Sequence, residues 1–301
     1  MFQFKHKNTQ PLKRIIHSNE TLKKIVNVYQ LKYQNDKSSG FGDYLRGCFC
    51  LIQICNLNNI EFDMDLSNHP IAQFIEINND QYECIDRTHI LRYKNKEITM
   101  NHLIDFMSNN SNGSTTCFLF CNNLSQYNNY TELSKNFIKS KIMPNSLMNV
   151  YITNEMNELN LISGHFSVVH IRTGDEYLLQ NMRLNKKYVY KILNYILPNL
   201  KKDKKYLILS DNNEIKLYFK KLNNCVFTIK PIIHFSDSII ITDDNVKNTL
   251  LDFYLMSKSS EIYSITPYDH GSGFSEWCSV VYNIPFKQQI IPNLNLKQMC
   301  I

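Results

Sequence analysis

Alanine is almost absent from this 301-residue chain, and tryptophan occurs once. Asn, Ile, Lys and Tyr stand in their place. That bias resembles an AT-rich coding sequence, so neither the excess of Lys over Arg nor the wealth of Asn carries a functional argument. No window approaches the roughly 18 uninterrupted apolar residues that span a bilayer. The N-terminal stretch MFQFKHKNTQPLKR lacks the apolar core of a secretory signal. The expectation is a soluble, cytoplasmic protein with no membrane span. No Cys-x-x-Cys pair occurs, which excludes a zinc ribbon or a thioredoxin-type site. The nine cysteines are odd in number and several sit in apolar runs, so they read as reduced, buried, small apolar side chains. No internal repeat and no long low-complexity tract is present.

What remains is the composition of a folded chain. Hydrophobic residues make up 43% and charged residues 20%, enough for a core and too apolar for disorder. The length accommodates two domains. The formal charge of +6 is mild and suits an anionic substrate such as a nucleotide diphosphate. No single basic stripe carries it, so no nucleic acid is expected as a partner. The densest basic run, Lys201 to Lys205, reads as a solvated loop.

An apolar segment, Ile25 to Leu31, precedes a glycine turn at Gly40-Phe41-Gly42-Asp43. Leu45, Phe49, Ile52 and Cys55 then recur at helical spacing, with Asp43 placed as an N-cap. Residues 60 to 155 read as mixed short strands and helices. Beyond a boundary near Gly164 the pattern sharpens. Strands are predicted at Phe166–Ile171, Tyr206–Ser210, Cys225–Ile229, Ser238–Ile241 and Ile262–Ile265. Helices are predicted at Tyr188–Leu200, Glu214–Leu222, Val246–Ser257 and from the 271–275 loop through Val281. The third of these helices reads as amphipathic, with Leu250, Phe253 and Tyr254 on its buried face. Alternating strands and helices imply a parallel α/β sheet covered on both faces. The domains are placed at 1–160 and 161–301.

In such sheets ligands bind beyond the carboxyl ends of the strands. Three segments fall there. His170-Ile171-Arg172-Thr173-Gly174-Asp175 ends a buried strand, where a guanidinium is costly unless paired or meeting a ligand. Its planar fork matches phosphate oxygens, and Gly174 permits a sharp turn. A structural Arg172–Asp175 ion pair explains the same residues. Gly271-Ser272-Gly273-Phe274-Ser275 precedes a helix, where free N–H groups favour an anion; an ordinary loop and cap is the alternative. Asp211 follows the YLILS strand, a place usually held by a cap. Asp243-Asp244, the nearest approach to an Asp-x-Asp motif, reads as a helix cap ahead of Val246, so no metal and no cofactor are expected.

Together these segments resemble the superfamily of α1,2-, α1,6- and protein O-fucosyltransferases. The resemblance rests on Gly40-Phe41-Gly42-Asp43-Tyr44-Leu45-Arg46, His170-Ile171-Arg172, Leu209-Ser210-Asp211, Leu251-Asp252 with its helix, and Gly273-Phe274-Ser275, in that order. It covers roughly residues 36 to 285. It implies a GT-B-like fold of two Rossmann-like domains facing a cleft. It further implies a GDP-fucose donor and a glycan or protein acceptor. Arg172 would hold the β-phosphate and stabilise departing GDP. His170 and Asp252 would meet the guanosine. Gly40, Gly42, Asp211, Ser272, Gly273, Phe274 and Ser275 complete the donor-side set. Asp43 is the candidate acceptor base, in a position where relatives often carry Asn, and Glu176 is a second. The Tyr268-Asp269-His270 stretch is a further departure. The implied reaction is inverting transfer of fucose. Transfer of another GDP- or UDP-sugar, and a catalytically idle nucleotide- or glycan-binding protein, remain as alternatives.

Overall fold

The structure, a computed structural model, describes residues 22–77, 90–92, 105–106, 109, 115–124, 130–174, 184–235 and 241–292. The chain divides into two compact units. One comprises Met1–Ser39, Asp43–Ala72 and Glu76–Ile142; the other comprises Gly40–Gly42, Gln73–Ile75 and Met143–Ile301.

The first unit is built on a parallel four-stranded sheet. Strand β1 (Lys24–Val28) is followed by the short antiparallel pair β2 (Lys32–Tyr33) and β3 (Asp36–Lys37), and by helix α1 (Phe41–Asn58). Then come β4 (Glu61–Asp65), β5 (Ile90–Leu91), β6 (Thr116–Phe120) and helix α2 (Glu132–Lys141). The sheet order is β4-β1-β6-β5. The strand-turn-helix opening expected from the sequence is present. Asp43, however, is not the N-cap of α1: the helix already begins at Phe41, which puts Asp43 inside the first turn. There a carboxylate is favoured by the helix dipole rather than by capping.

The second unit opens with α3 (Ser146–Glu158), then β7 (Phe166–Ile171), α4 (Lys186–Ile196), β8 (Lys205–Ser210), the one-turn α5 (Asn213–Lys216) and β9 (Cys225–Val226). It continues with α6 (Asp243–Ser257), β10 (Glu261–Thr266), α7 (Gly273–Tyr282) and β11 (Phe286–Ile290). Its five strands are all parallel, in the order β11-β10-β7-β8-β9. Numbered from β7, that is 3-2-1-4-5, the order of a Rossmann-type sheet. The division between units falls at Ile142/Met143, ahead of the 160/161 expected. Helix α3 goes with the second unit because Tyr151 donates to Asn248 Oδ1 at 2.8 Å and Glu155 is paired with Lys230.

Local chemistry explains the element ends. Thr131, Asn145, Asn185, Asn212 and Thr242 each cap a helix by accepting a hydrogen bond from a first-turn backbone N–H. Two caps expected from sequence are therefore displaced. Thr242, not Asp243 or Asp244, caps α6, and Asn212, not Asp211, caps α5. The latter helix is shorter than predicted, ending at Lys216 before a 3-10 turn at Leu217–Phe219. Strand β9 stops at Val226, well short of Ile229. Most of the predicted Ser238–Ile241 strand lies outside the described residues.

Helix α6 is not simply amphipathic. Every residue from Asn248 to Met256 is buried, Asp252 included. The helix packs against α3 and against α7, so it has no solvent face along that stretch. A main apolar cluster of the unit joins Val169 and Ile171 of β7 to Val189, Ile192 and Leu193 of α4, Ile208 of β8, and Ile215 and Phe219. Truncating one of its large members to alanine would cost about 3–5 kcal/mol.

Candidate functional site

The strand order reverses where β7 lies between β8 and β10, and ligands of open α/β sheets sit beyond the strand ends at such a point. Register decides which residues gather there. Ile171 pairs with Ser210 on one side and with Ile265 on the other. The next residues, Arg172, Asp211 and Thr266, are therefore level. Arg172 N continues the ladder by donating to Ile265 O at 2.8 Å.

Asp211 is the organiser of this end. Arg172 Nη1 donates to its Oδ2 at 2.7 Å. Thr173 donates to its Oδ1 through both the backbone N, at 2.7 Å, and the hydroxyl, at 2.8 Å. Gly174 N donates to Oδ2 at 3.3 Å, with φ at 134°. The alternative ion pair to Asp175 lies outside the described residues, as does Glu176. Arg172 and Asp211 keep only 13% and 4% of their side-chain surface exposed. The guanidinium is thus held by charge-assisted hydrogen bonding rather than left to swing.

His170 precedes Arg172 and is buried, with no partner for Nδ1 among the described residues. Burial, opposed by Asp211 and aided by Arg172 and Lys216, lowers its pKa to about 4. It is therefore a neutral imidazole with a ring nitrogen to spare. Its ring lies 5.9 Å from Phe274, which in turn lies 5.4 Å from Phe253. Phe41 stands edge-on to Phe253 at 5.1 Å and to Phe235 at 5.9 Å.

The glycine turns meet. A Cβ on Gly42 would fall 2.2 Å from the Gly273 carbonyl carbon and 2.6 Å from Phe274 N. Position 42 is thus occupied by backbone, and no larger residue fits. Gly40 lies just ahead of α1. In the Ser272–Ser275 segment, Ser272 precedes α7 without a side-chain cap hydrogen bond. Its N–H donates to Gln288 Oε1 at 3.2 Å. Ser275 is buried, its hydroxyl spent on Ser264 Oγ at 3.0 Å, so what the segment can offer a ligand is backbone N–H. The stretch ahead of it is folded locally: Tyr268 and His270 rings stack at 5.2 Å, and Gly271 N donates to Tyr268 O at 3.0 Å.

Asp252 on α6 is buried, and burial raises its pKa to about 6 against the opposing charge of Lys216; Glu155 raises it further and Lys230 lowers it. Asp43, in the first unit, pairs with Arg46 at 3.1 Å and keeps 41% of its side-chain surface exposed. Sequence reasoning missed Lys216, Glu155 and Lys230. Lys230 donates to Tyr151 Oη at 3.0 Å and pairs with Glu155. Lys216 is almost fully buried, its Nζ donating to Thr228 O at 3.1 Å. A signal for two of them existed. Glu155 follows Met148 and Ile152 on the buried face of α3, and Lys216 stands one turn before Phe219. Among the described residues, no three or more His, Cys, Asp and Glu side chains form a group that could hold a metal ion, and no helix is long and apolar enough to cross a membrane.

No family model matches the sequence, and no curated protein does. Solved structures do match. An α1,6-fucosyltransferase, NodZ, co-crystallised with GDP superposes with a TM-score of 0.55 at 13% identity, over 90% of this chain and 96% of that one. The same enzyme soaked with GDP-fucose gives 0.53 at 12%, over 86% and 92%. A selenomethionine form from Bradyrhizobium gives 0.53 at 14%, over 91% and 96%. The chain has the fucosyltransferase fold. That fold is the α/β, GT-B-like plan expected from the motifs, with a parallel sheet in each unit.

Proposed function

We propose that the chain is a glycosyltransferase that moves fucose from GDP-fucose to a hydroxyl of a glycan or protein acceptor. The observation that carries this reading is Arg172, a part-buried guanidinium at the topological switch point, oriented by the Asp211 carboxylate. Cleaving the bond between sugar and phosphate develops negative charge on the departing diphosphate. A preoriented cation in a site of low dielectric is worth most there. The N–H groups at the start of α7 add dipolar donors for the same oxygens. His170 and Asp252 face the nucleoside in this reading, and Phe274 walls it. The transfer is proposed to be inverting, without a metal, with Asp43 deprotonating the acceptor. A soluble, cytoplasmic setting fits the same proposal.

The test is calorimetric titration of the native chain and Arg172→Ala with GDP, UDP and GDP-fucose. The native chain is expected to bind GDP and GDP-fucose and to reject UDP. Arg172→Ala is expected to weaken GDP by about 100-fold, the loss of one or two charge-assisted hydrogen bonds. Unaltered GDP affinity in the variant would remove Arg172 from the site. Release of GDP from GDP-fucose in the presence of candidate acceptors, compared between native chain and Asp43→Asn, tests the base.

A further inference from the structure

The formal charge of the chain is +6, and the fold concentrates it. Between Leu184 and Leu222 stand ten lysines and three carboxylates, an excess larger than the charge of the whole chain. No stretch of sequence reads as a basic stripe, because these lysines are spread over α4, the turn before β8, and α5 with its 3-10 turn. Topology gathers them. The connections β7-α4-β8 and β8-α5-β9 run the same way across the sheet, so right-handed crossover puts both helices on one face. The apolar cluster that joins Val189, Ile192 and Leu193 of α4 to Ile215 and Phe219 agrees with this. The connections through α6 and α7 run back the other way and cover the opposite face.

Burying those apolar side chains turns the others outward. On α4 the outer side carries Lys186, Lys187, Tyr190, Lys191 and Tyr195, all exposed, and no carboxylate. On the neighbouring turn it carries Leu217, Tyr218, Lys220 and Lys221. Tyr190 is 58% exposed, Leu217 53% and Tyr218 47%. A single exposed apolar side chain needs no explanation, but a set of them interleaved with cations on one face marks a surface that meets a partner. None of the five lysines has an ion-pair partner among the described residues, whereas Lys204 and Lys230 of the same unit are paired. The exposed carboxylates of the span, among the described residues, are Asp203 and Glu214. They stand at opposite edges of the face, one in the turn before β8 and one in the first turn of α5.

We propose that this face docks on an anionic lipid bilayer, the lysines lying over the headgroups and Tyr190, Leu217 and Tyr218 entering the headgroup layer. The inference stands apart from the donor reading, which takes no residue from this face. Charge complementarity carries it first: unpaired ammonium groups gather at the negative potential of a leaflet that contains phosphatidylserine. Tyrosine suits the same depth, because its ring enters the apolar boundary while its hydroxyl stays wet. Leu217 decides between a bilayer and a nucleic acid. An aliphatic side chain gains by reaching the acyl boundary and gains nothing against a phosphate backbone. The outer side of helices laid on a sheet is also a surface rather than the groove that tracks a single strand. The attachment is to the membrane surface, since no helix among the described residues is long and apolar enough to cross.

The experiment is co-sedimentation of the native chain with vesicles. It is expected to bind vesicles of three parts phosphatidylcholine to one part phosphatidylserine, and not vesicles of phosphatidylcholine alone. Binding should weaken as salt is raised, because the lysine attraction is screened. Lys187→Gln, Lys191→Gln, Lys220→Gln and Lys221→Gln combined should weaken it by about 100-fold or more, at about fivefold for each lysine. Tyr190→Ser with Leu217→Ser keeps every charge and should weaken it by about 10-fold. Both variants alter exposed residues only, and circular dichroism like that of the native chain shows them folded. No binding to the anionic vesicles overturns the proposal, as does equal binding to the two compositions. So does undiminished vesicle binding in either variant. A uridine oligonucleotide held more tightly than the anionic vesicles also overturns it and makes the face a nucleic-acid surface. A chain that binds anionic vesicles but not GDP upholds this proposal and removes the donor reading.

Discussion

The carboxyl ends of the two parallel sheets make an instructive pair. Beyond β1, in the first unit, the ring of Tyr29 is stacked between Tyr44 at 4.4 Å and His69 at 4.1 Å, all three buried. Tyr44 donates to Asn27 O at 2.9 Å, and the Asn27 side chain accepts from Asn122 N at 2.8 Å and donates to Asn122 O at 3.2 Å. Thiols close by are driven out of the titrating range by burial, Cys48 up to about 12 and Cys121 to about 11. Beyond β7, in the second unit, the same place in a similar sheet holds Arg172, Asp211 and a neutral His170. Parallel architecture leaves a set of strand ends in both units. Rings and amides fill one of them, whereas a guanidinium–carboxylate pair occupies the other. The difference locates the ligand chemistry in side chains rather than in topology.

The comparison breaks most directly at Asp211. Asp211→Ala takes the carboxylate from the part-buried Arg172 and the acceptor from the Thr173 N–H, and chemical denaturation should show about 3 kcal/mol less stability. GDP affinity should fall with it by about 10-fold or more, since the guanidinium is no longer held. Full affinity in a folded Asp211→Ala chain would show that the charged end is not the nucleotide end.

Asn27→Leu strikes the other end. It strands the Asn122 N–H and should cost about 1–3 kcal/mol, with GDP affinity unchanged when measured on the folded variant. A parallel loss of affinity would erase the contrast.

A finer test uses pH. The folded-state pKa of His170 is lowered from 6.5 to about 4, so the unfolded chain takes that proton first and stability falls as pH drops across that interval. Asp252 is raised from 3.8 to about 6, so the folded chain takes that proton first and stability rises as pH drops across that interval. The two slopes oppose each other. His170→Gln should gain stability, and Asp252→Asn lose it, on going from pH 6 to pH 4, each by on the order of 2 kcal/mol. Denaturation midpoints at the two pH values decide this; slopes of equal sign would refute it.

The smallest effect is expected at the opposite end of the second sheet. Glu261 opens β10 and pairs with Lys287 at 2.6 Å and Lys204 at 3.0 Å. Burial pushes its pKa up, but hydrogen bonds from Lys287, Tyr263 and Lys204 outweigh this and hold it at about 2. The pairing should contribute above pH 4.5 and be lost as pH falls toward 2. Glu261→Gln should shift stability by less than about 1 kcal/mol at neutral pH and leave GDP affinity alone.

Much of the second unit was legible because fully buried strands announce themselves. FSVVHI is a strand over the same six residues that its β-branched content predicts, and YLILS gains only Lys205. Arg172 was legible for the same reason, since a guanidinium at the end of such a run demands a partner. Which partner it takes was not legible. Asp211 lies 39 positions away and meets Arg172 only through the parallel register of β7 and β8. The one-turn spacing from Lys216 to Phe219 was outweighed by its setting, because the lysines at 220 and 221 make the whole stretch look solvated. The first unit was obscure because its strands are short, β5 having two residues. Its packing is also carried by Cys, Tyr and Asn, types that give no clean periodicity.

The contact of Gly42 with the Gly273–Phe274 peptide bears on how this chain can change. Side-chain collisions are commonly relieved by a second substitution that makes room, but main-chain atoms are the same in every sequence. A library randomised jointly at positions 42, 273 and 274 should therefore return variety at 274 and glycine alone at 42.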